Sequence, residues 1–302
     1  MTIDTKNMDF RTTSFIIYSC SLNIIIPLCH KRKFLNFMKL LKRLFIVVFL
    51  MGVLVSVAGL WLLYGSQTSN PRNYKTVGDI LTPWGYERVT GEDEAYTHFL
   101  RSLPLKSRGT KVQYFTGGNA RLQLLCYAVV DMPLLSNAEQ CADVCMRLRA
   151  EYLFQRGQYG RIHFRDVNGN TMRYSGGNSR NAFESYLRRV YGVASTFSLS
   201  RELKQRQIAE VQPGDVFVYA AVDRPGNQKY GHAVMVVDVA VNKFTGRRAV
   251  ILAEGNTPAR DIHVMRNLLN PLRSPWIVLD ENVKSFQLSV FRYKADELKH
   301  FQ

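Results

Sequence analysis

Four residues, met in order along the chain, have the types that nucleophilic catalysis requires: Cys141, His232, Glu254 and Asn256. Cys141 lies near the start of the segment QCADVCMRLRAEYL, and His232 follows Gly231 and opens the apolar run HAVMVV. Glu254 and Asn256 end the run ILAEGN. A thiol nucleophile needs a base within hydrogen-bond reach, and the base needs an orienting group. A helix start favours the thiolate, because the first-turn N–H groups and the helix dipole stabilise negative charge. The set therefore predicts cysteine-hydrolase chemistry: Cys141 as nucleophile, His232 as base, and Glu254 or Asn256 as the orienting group. The competing expectation is packing. Cys141 falls on an apolar helical stripe with Cys145, Leu148 and Tyr152, and free cysteines are among the most buried residues. Three further residues are candidates for substrate binding: Arg149, for its nearness to Cys141, and Asn178 and Arg180, which come after Gly176-Gly177. His263 is a lesser candidate base, with Asp261 to orient it.

The elements that must position these residues can be read from periodicity and turn chemistry. A helix is predicted over 138–155, capped by Ser136 or Asn137, which sets Cys141 a turn inside it. Strands are predicted over 216–222, 232–241 and 248–254, the first introduced by the turn Gln212-Pro213-Gly214-Asp215. Shorter strands are expected at 262–265 and 276–279. Earlier come a helix over 92–103, strands over 112–115 and 122–131, and a Gly-rich loop over 156–180 with room for one hairpin. Helices over 181–191 and 200–210 come next. Helices precede an antiparallel meander, which is an α+β order rather than alternating βαβ units.

Upstream, Leu44 to Tyr64 runs 21 residues without a charge, enough for a helix to cross about 30 Å of hydrocarbon. Lys39, Lys42 and Arg43 precede it, and the next basic residue is Arg72. The positive-inside rule then leaves the N-terminus in the cytoplasm and exports the rest of the chain. A cleaved signal peptide is the rival; its apolar core is shorter, and Gly65-Ser66 is a weak site. Met38 opens MKLLKR, an export-signal-like start, so residues 1–37 read as an upstream extension whose apolar patch from Phe15 to Cys29 is not a second span. The expected layout is a basic arm over 1–43, a transmembrane or signal-anchor helix over 44–64, a linker over 65–83 and one α+β domain over 84–302.

The chain has 302 residues, 46% hydrophobic and 21% charged, which excludes wholesale disorder and supports a real core. Its formal charge of +16 suggests nucleic acid, but residues 1–65 hold eight basic against two acidic groups, and export removes the partner. Five cysteines, two before the apolar run, show no zinc-ligand spacing. Cys141 and Cys145 are too far apart on a helix to bridge. No metal, cofactor or nucleic-acid partner is expected.

The strings GDVFVY, GHAVMVVDV and ILAEGN resemble the strand core of the CHAP amidases, which belong with the NlpC-type peptidases in a papain-like superfamily. The resemblance covers roughly Gln140 to Asn256. It implies a papain-like fold, helices packed on an antiparallel sheet, and amide hydrolysis through Cys141, His232 and Glu254 or Asn256. Where those enzymes usually carry a large residue after the nucleophile, this chain has Ala142. A more extensive resemblance, from about Tyr86 to Phe291, is to a family of exported bacterial proteins known only as a domain of unknown function. It rests on QCADVCMRLRAEYL, GGNSRNAFESYLRRVYG, GHAVMVVDVA and SPWIVLDEN. The expected function is a membrane-anchored, extracytoplasmic cysteine amidohydrolase or peptidase acting on cell-wall peptides. The alternative is a catalytically silent envelope module that binds peptide or glycan on the same fold.

Overall fold

The computed structural model describes residues 28–61, 68–224, 230–288 and 290–302. Most of the patch around Phe15, the last residues of the apolar run and the weak cleavage site lie outside them. The chain divides into two compact units, Met1–Ala58 and Gly59–Gln302. In the first, α1 (Leu28–Leu60) is a single helix. Its 27-residue stretch Phe34–Leu60 is long and apolar enough to cross a membrane. The helix starts well before the charge-free run, so the basic residues Lys39, Lys42 and Arg43 are helical rather than part of a separate arm.

The second unit begins with β1 (Tyr86–Arg88), α2 (Glu94–Arg101) and β2 (Cys126–Val129). Next come α3 (Cys141–Gln155), the hairpin β3 (His163–Arg165) and β4 (Thr171–Arg173), α4 (Arg180–Val193) and α5 (Thr196–Glu202). The remainder is strands: β5 (Lys204–Gln205), β6 (Val216–Tyr219), β7 (His232–Asn242), β8 (Arg248–Glu254) and β9 (His263–Met265). It closes with β10 (Ile277–Val278), β11 (Ser285–Leu288), β12 (Phe291–Lys294) and β13 (Leu298–His300). Among the described residues, nine strands form one sheet in the order β2-β9-β8-β7-β6-β13-β5, with β1 added to β7 and β10 to β8. Its strand pairs run antiparallel. The fold is thus α+β, with helices on an antiparallel sheet.

The two central strands are apolar on both faces, and the reason is a layer on each side. Ala233, Met235 and Val237 of β7 join the core beneath α2 to α5, while Val234, Val236 and Val239 join a second core with Phe286, Leu288 and Tyr293 of the β11–β12 hairpin. The alternation changes phase at a bulge between Val236 and Asp238, where the extra residue re-aims the strand. It turns the fully buried Asp238 toward Arg88 and Arg101, whose Nε atoms lie 2.6 and 2.7 Å from its carboxylate. That cluster fastens β1 and α2 to β7.

Three expectations from the sequence are corrected by these elements. The stretch expected as a linker, 65–83, belongs to the domain from Thr68 onward. Asn70, Val77 and Ile80 are buried in it, because Asn70 hydrogen-bonds the Tyr127, Tyr74 and Lys106 backbones. The strand expected over 112–115 is replaced by isolated bridges, Gln113 to Asn119 and Tyr114 to Arg260, and the one expected over 122–131 shortens to Cys126–Val129, because Leu122 enters the left-handed region and leads into a 3-10 turn over Gln123–Leu125.

Candidate functional site

Cys141 is the first residue of α3, and Gln140 is the N-cap. The expected start at 138 fails because the preceding residues are used otherwise. Glu139 turns inward, accepting from the Leu135 N–H at 2.7 Å and from Arg147 at 2.8 Å. The Asp143 carboxylate accepts from the Gln140 N–H at 2.9 Å, which closes the first turn. Gln140 is held in turn by the Thr257 hydroxyl, which donates to its Oε1 at 2.7 Å. Gly255 lets this happen: a Cβ there would press on Val144 and the Gln140 carbonyl. The thiol therefore sits where the first-turn N–H groups have no intrahelical acceptor.

His232 opens β7 and Glu254 closes β8. The register pairs Met235 with Ala253 and Val236 with Leu252. Continued by one step it sets Glu254 opposite Val234, so His232 is its diagonal neighbour on the same face. His232 Nε2–H donates to Glu254 Oε2 at 2.7 Å. Cys141 acts on the same ring as a hydrogen-bond partner. Cys141 is 6% exposed, His232 3% and Glu254 1%. Burial pulls the His232 pKa down, but Cys141 and Glu254 outweigh it and push it up to about 9. For Glu254, burial pushes upward and the hydrogen bonds from His232 and His263 win, bringing it down to about 2.

His263 is the partner to which the sequence alone gives a different role. Register places it directly opposite Glu254, and its Nε2–H donates to Glu254 Oε1 at 3.2 Å. Its Nδ1–H donates to the Asp261 backbone carbonyl at 3.0 Å. Both ring nitrogens thus face oxygen atoms, one of the Glu254 carboxylate and one of the Asp261 backbone. The Asp261 side chain goes elsewhere, to Lys106 and to the Gln113 N–H. Glu254 is thus divided between two histidines. Phe291 of β12 stacks on the His232 ring, centroids 3.7 Å apart. No sequence signal points to Phe291, because β12 has no strand pattern of its own. For His263, the β8–β9 pairing register is the signal that would find it.

The other predicted site residues are not brought to this cluster. Asn256 sits past the end of β8 and accepts from the Thr257 N–H at 2.8 Å, so it shapes a turn. Arg149 is two turns along α3 from Cys141, buried over the Tyr96 and Tyr152 rings and 3.7 Å from Asp93. Arg180 opens α4 and forms a two-pronged pair with Glu151 at 2.6 and 2.7 Å. Asn178 is exposed in the turn before it. Cys126, Cys141 and Cys145 are all free and buried. Among the described residues, no group of His, Cys, Asp or Glu has a metal-holding arrangement.

No curated protein and no solved structure matches the chain. The family model described as domain of unknown function (4846) matches residues 78–177 and 175–300. These segments take in α3, β7, β8 and β9, which carry Cys141, His232, Glu254 and His263, and the chain belongs to the family of domain of unknown function 4846.

Proposed function

We propose that the protein is a cysteine hydrolase acting on amide bonds, with a papain-like arrangement of its site, held at a membrane by α1 with its globular unit exported. The observation that carries this reading is the buried pair His232 Nε2–Glu254 Oε2 at 2.7 Å, beside a thiol on the first residue of a helix. In this reading Cys141 transfers its proton to His232 Nδ1 and the thiolate attacks the amide carbonyl. First-turn N–H groups of α3 receive the oxyanion. His232 returns the proton to the leaving amine, and then activates the water that releases the acyl group. Glu254 holds the ring in place and balances its charge, and His263 holds Glu254. The compartment and the resemblance to CHAP amidases favour cell-wall peptides as substrates.

The test is residue-resolved alkylation of the full chain in detergent, followed by hydrolysis of cell-wall peptide fragments. Cys141 is expected to react at neutral pH in the folded protein, and His232→Ala to abolish that. Cys141→Ala should remove hydrolysis completely. Reaction of Cys141 only after unfolding would make it a packing residue and favour the silent binding module instead.

A further inference from the structure

Away from this site, the surface between Thr68 and Trp84 on one side and Arg266 and Trp276 on the other encloses a cleft of about 800 Å3. Its rim is apolar and exposed to a degree that packing does not explain. Trp84 is 88% exposed and Leu272 is 91% exposed, with Leu81 also in solvent. Trp84 stacks on Phe244, itself exposed, with ring centroids 5.9 Å apart. Two arginines, Arg72 and Arg273, stand exposed on the same cleft. Exposed aromatic and apolar side chains gathered into one patch mark an interaction surface. Tryptophan beside leucine and arginine suits a bilayer interface: the ring and apolar chains enter the acyl boundary and the guanidinium groups meet anionic headgroups.

The chain itself limits what this patch can meet. α1 ends at Leu60 and the cleft wall begins at Thr68. Eight residues span at most about 29 Å even fully extended, so Thr68 stays within that reach of the end of α1. We infer that Trp84, Phe244, Leu81 and Leu272, with Arg72 and Arg273, form a docking face for the anionic lipid surface in which α1 is anchored. The inference rests on the reading of α1 as a membrane anchor.

Tryptophan quenching by brominated lipids tests both. The full chain has three tryptophans, Trp61, Trp84 and Trp276. Trp276 is buried in the domain core and Trp61 comes directly after the last residue of α1. The chain is reconstituted into vesicles of brominated phosphatidylglycerol and phosphatidylcholine, and compared with Trp84→Phe. Docking predicts that quenching removes both the Trp61 and the Trp84 signals from the parent and only the Trp61 signal from the variant. The Trp84 share should shrink in Arg72→Gln/Arg273→Gln and in pure phosphatidylcholine. Quenching of Trp61 with Trp84 untouched overturns the docking face and leaves the anchor standing. Absence of quenching in both proteins overturns the anchor and the docking face with it. Trp84 shielded from aqueous acrylamide yet unquenched by lipid also overturns the inference, since a second copy or another protein then covers the patch. Equal Trp84 quenching in neutral and anionic vesicles overturns the role of the arginines.

Discussion

Glu254 serves two buried rings at once, and its two oxygens can be tested separately. Glu254→Gln keeps an acceptor for His232 but removes the charge. In Ser-His-Asp enzymes the same carboxylate-to-amide change lowers turnover by roughly 10⁴-fold, and a loss of that order is expected in peptide hydrolysis here. A loss below tenfold would show that Glu254 merely packs. His263→Gln addresses the other oxygen. His263 shares the Glu254 carboxylate through Oε1 and so weakens the pull on His232. Removing it should raise the His232 titration above its value of about 9, as followed by NMR of the imidazole carbons. An unchanged midpoint would reduce His263 to a filler of the strand. Cys141 is itself buried, so the chemistry that makes it reactive depends on the first residues of α3 keeping their place.

That dependence belongs to the elements. Gly231 precedes His232, and a Cβ there would collide with the Thr196 hydroxyl and the Tyr219 carbonyl. Gly231→Ala therefore displaces the start of β7. Overpacking of this kind costs about 1–3 kcal/mol, and the expected result is a lower Tm together with loss of Cys141 reactivity. Gly160→Ala, where a Cβ meets open space, is the control and should change neither. Asp238→Ala strikes the bulge. It leaves Arg88 and Arg101 without their shared carboxylate, and breaking a buried pair costs about 3–5 kcal/mol. Urea unfolding should show the lower midpoint. The same physics decides how far the elements are legible in the sequence. The pattern gives β8 at its true bounds and β7 within a residue, because unbroken apolar runs flanked by turns leave little choice. It places the start of α3 three residues early, because the inward turn of Glu139 depends on Arg147, eight residues away. The strands after 284 escape it, since they are three or four residues long with polar or charged residues between apolar positions, and the pairings of β11 with β12 and of β13 with β5 and β6 are what order them. The His263–Glu254 contact needs a strand register, which no local pattern encodes.

At the scale of the whole globular unit, its buried charges set how stability varies with pH. Burial raises the Asp143 carboxyl from 3.8 to about 8, and one of its oxygens has no partner. Burial likewise raises Asp215 to about 7, against the pull of the Gln212 N–H and Arg206. An acid whose folded pKa is raised binds its proton more tightly when folded, so it favours the fold at low pH and loses that contribution as pH climbs to the folded value. His232 has the same sign: its contribution is complete below 6.5 and is lost as pH rises through about 9. Glu254 has the opposite sign, complete above 4.5 and lost as pH falls through about 2. On these four groups stability should therefore peak near pH 4, where the Glu254 contribution is nearly complete and the Asp143 and Asp215 contributions begin to be lost, and fall from there toward pH 9. Asp143→Asn isolates the largest of these contributions. The amide oxygen still accepts from the Gln140 N–H, while no group remains to ionise. Thermal unfolding from pH 5 to 9 should show the parent losing stability on the order of a few kcal/mol more than the variant by pH 8. Parallel curves would mean that Asp143 is ionised in the fold, and the first turn of α3 would then carry a negative charge beside Cys141. That outcome would count against the nucleophile as well, because an ionised Asp143 opposes the thiolate that the helix start is there to favour.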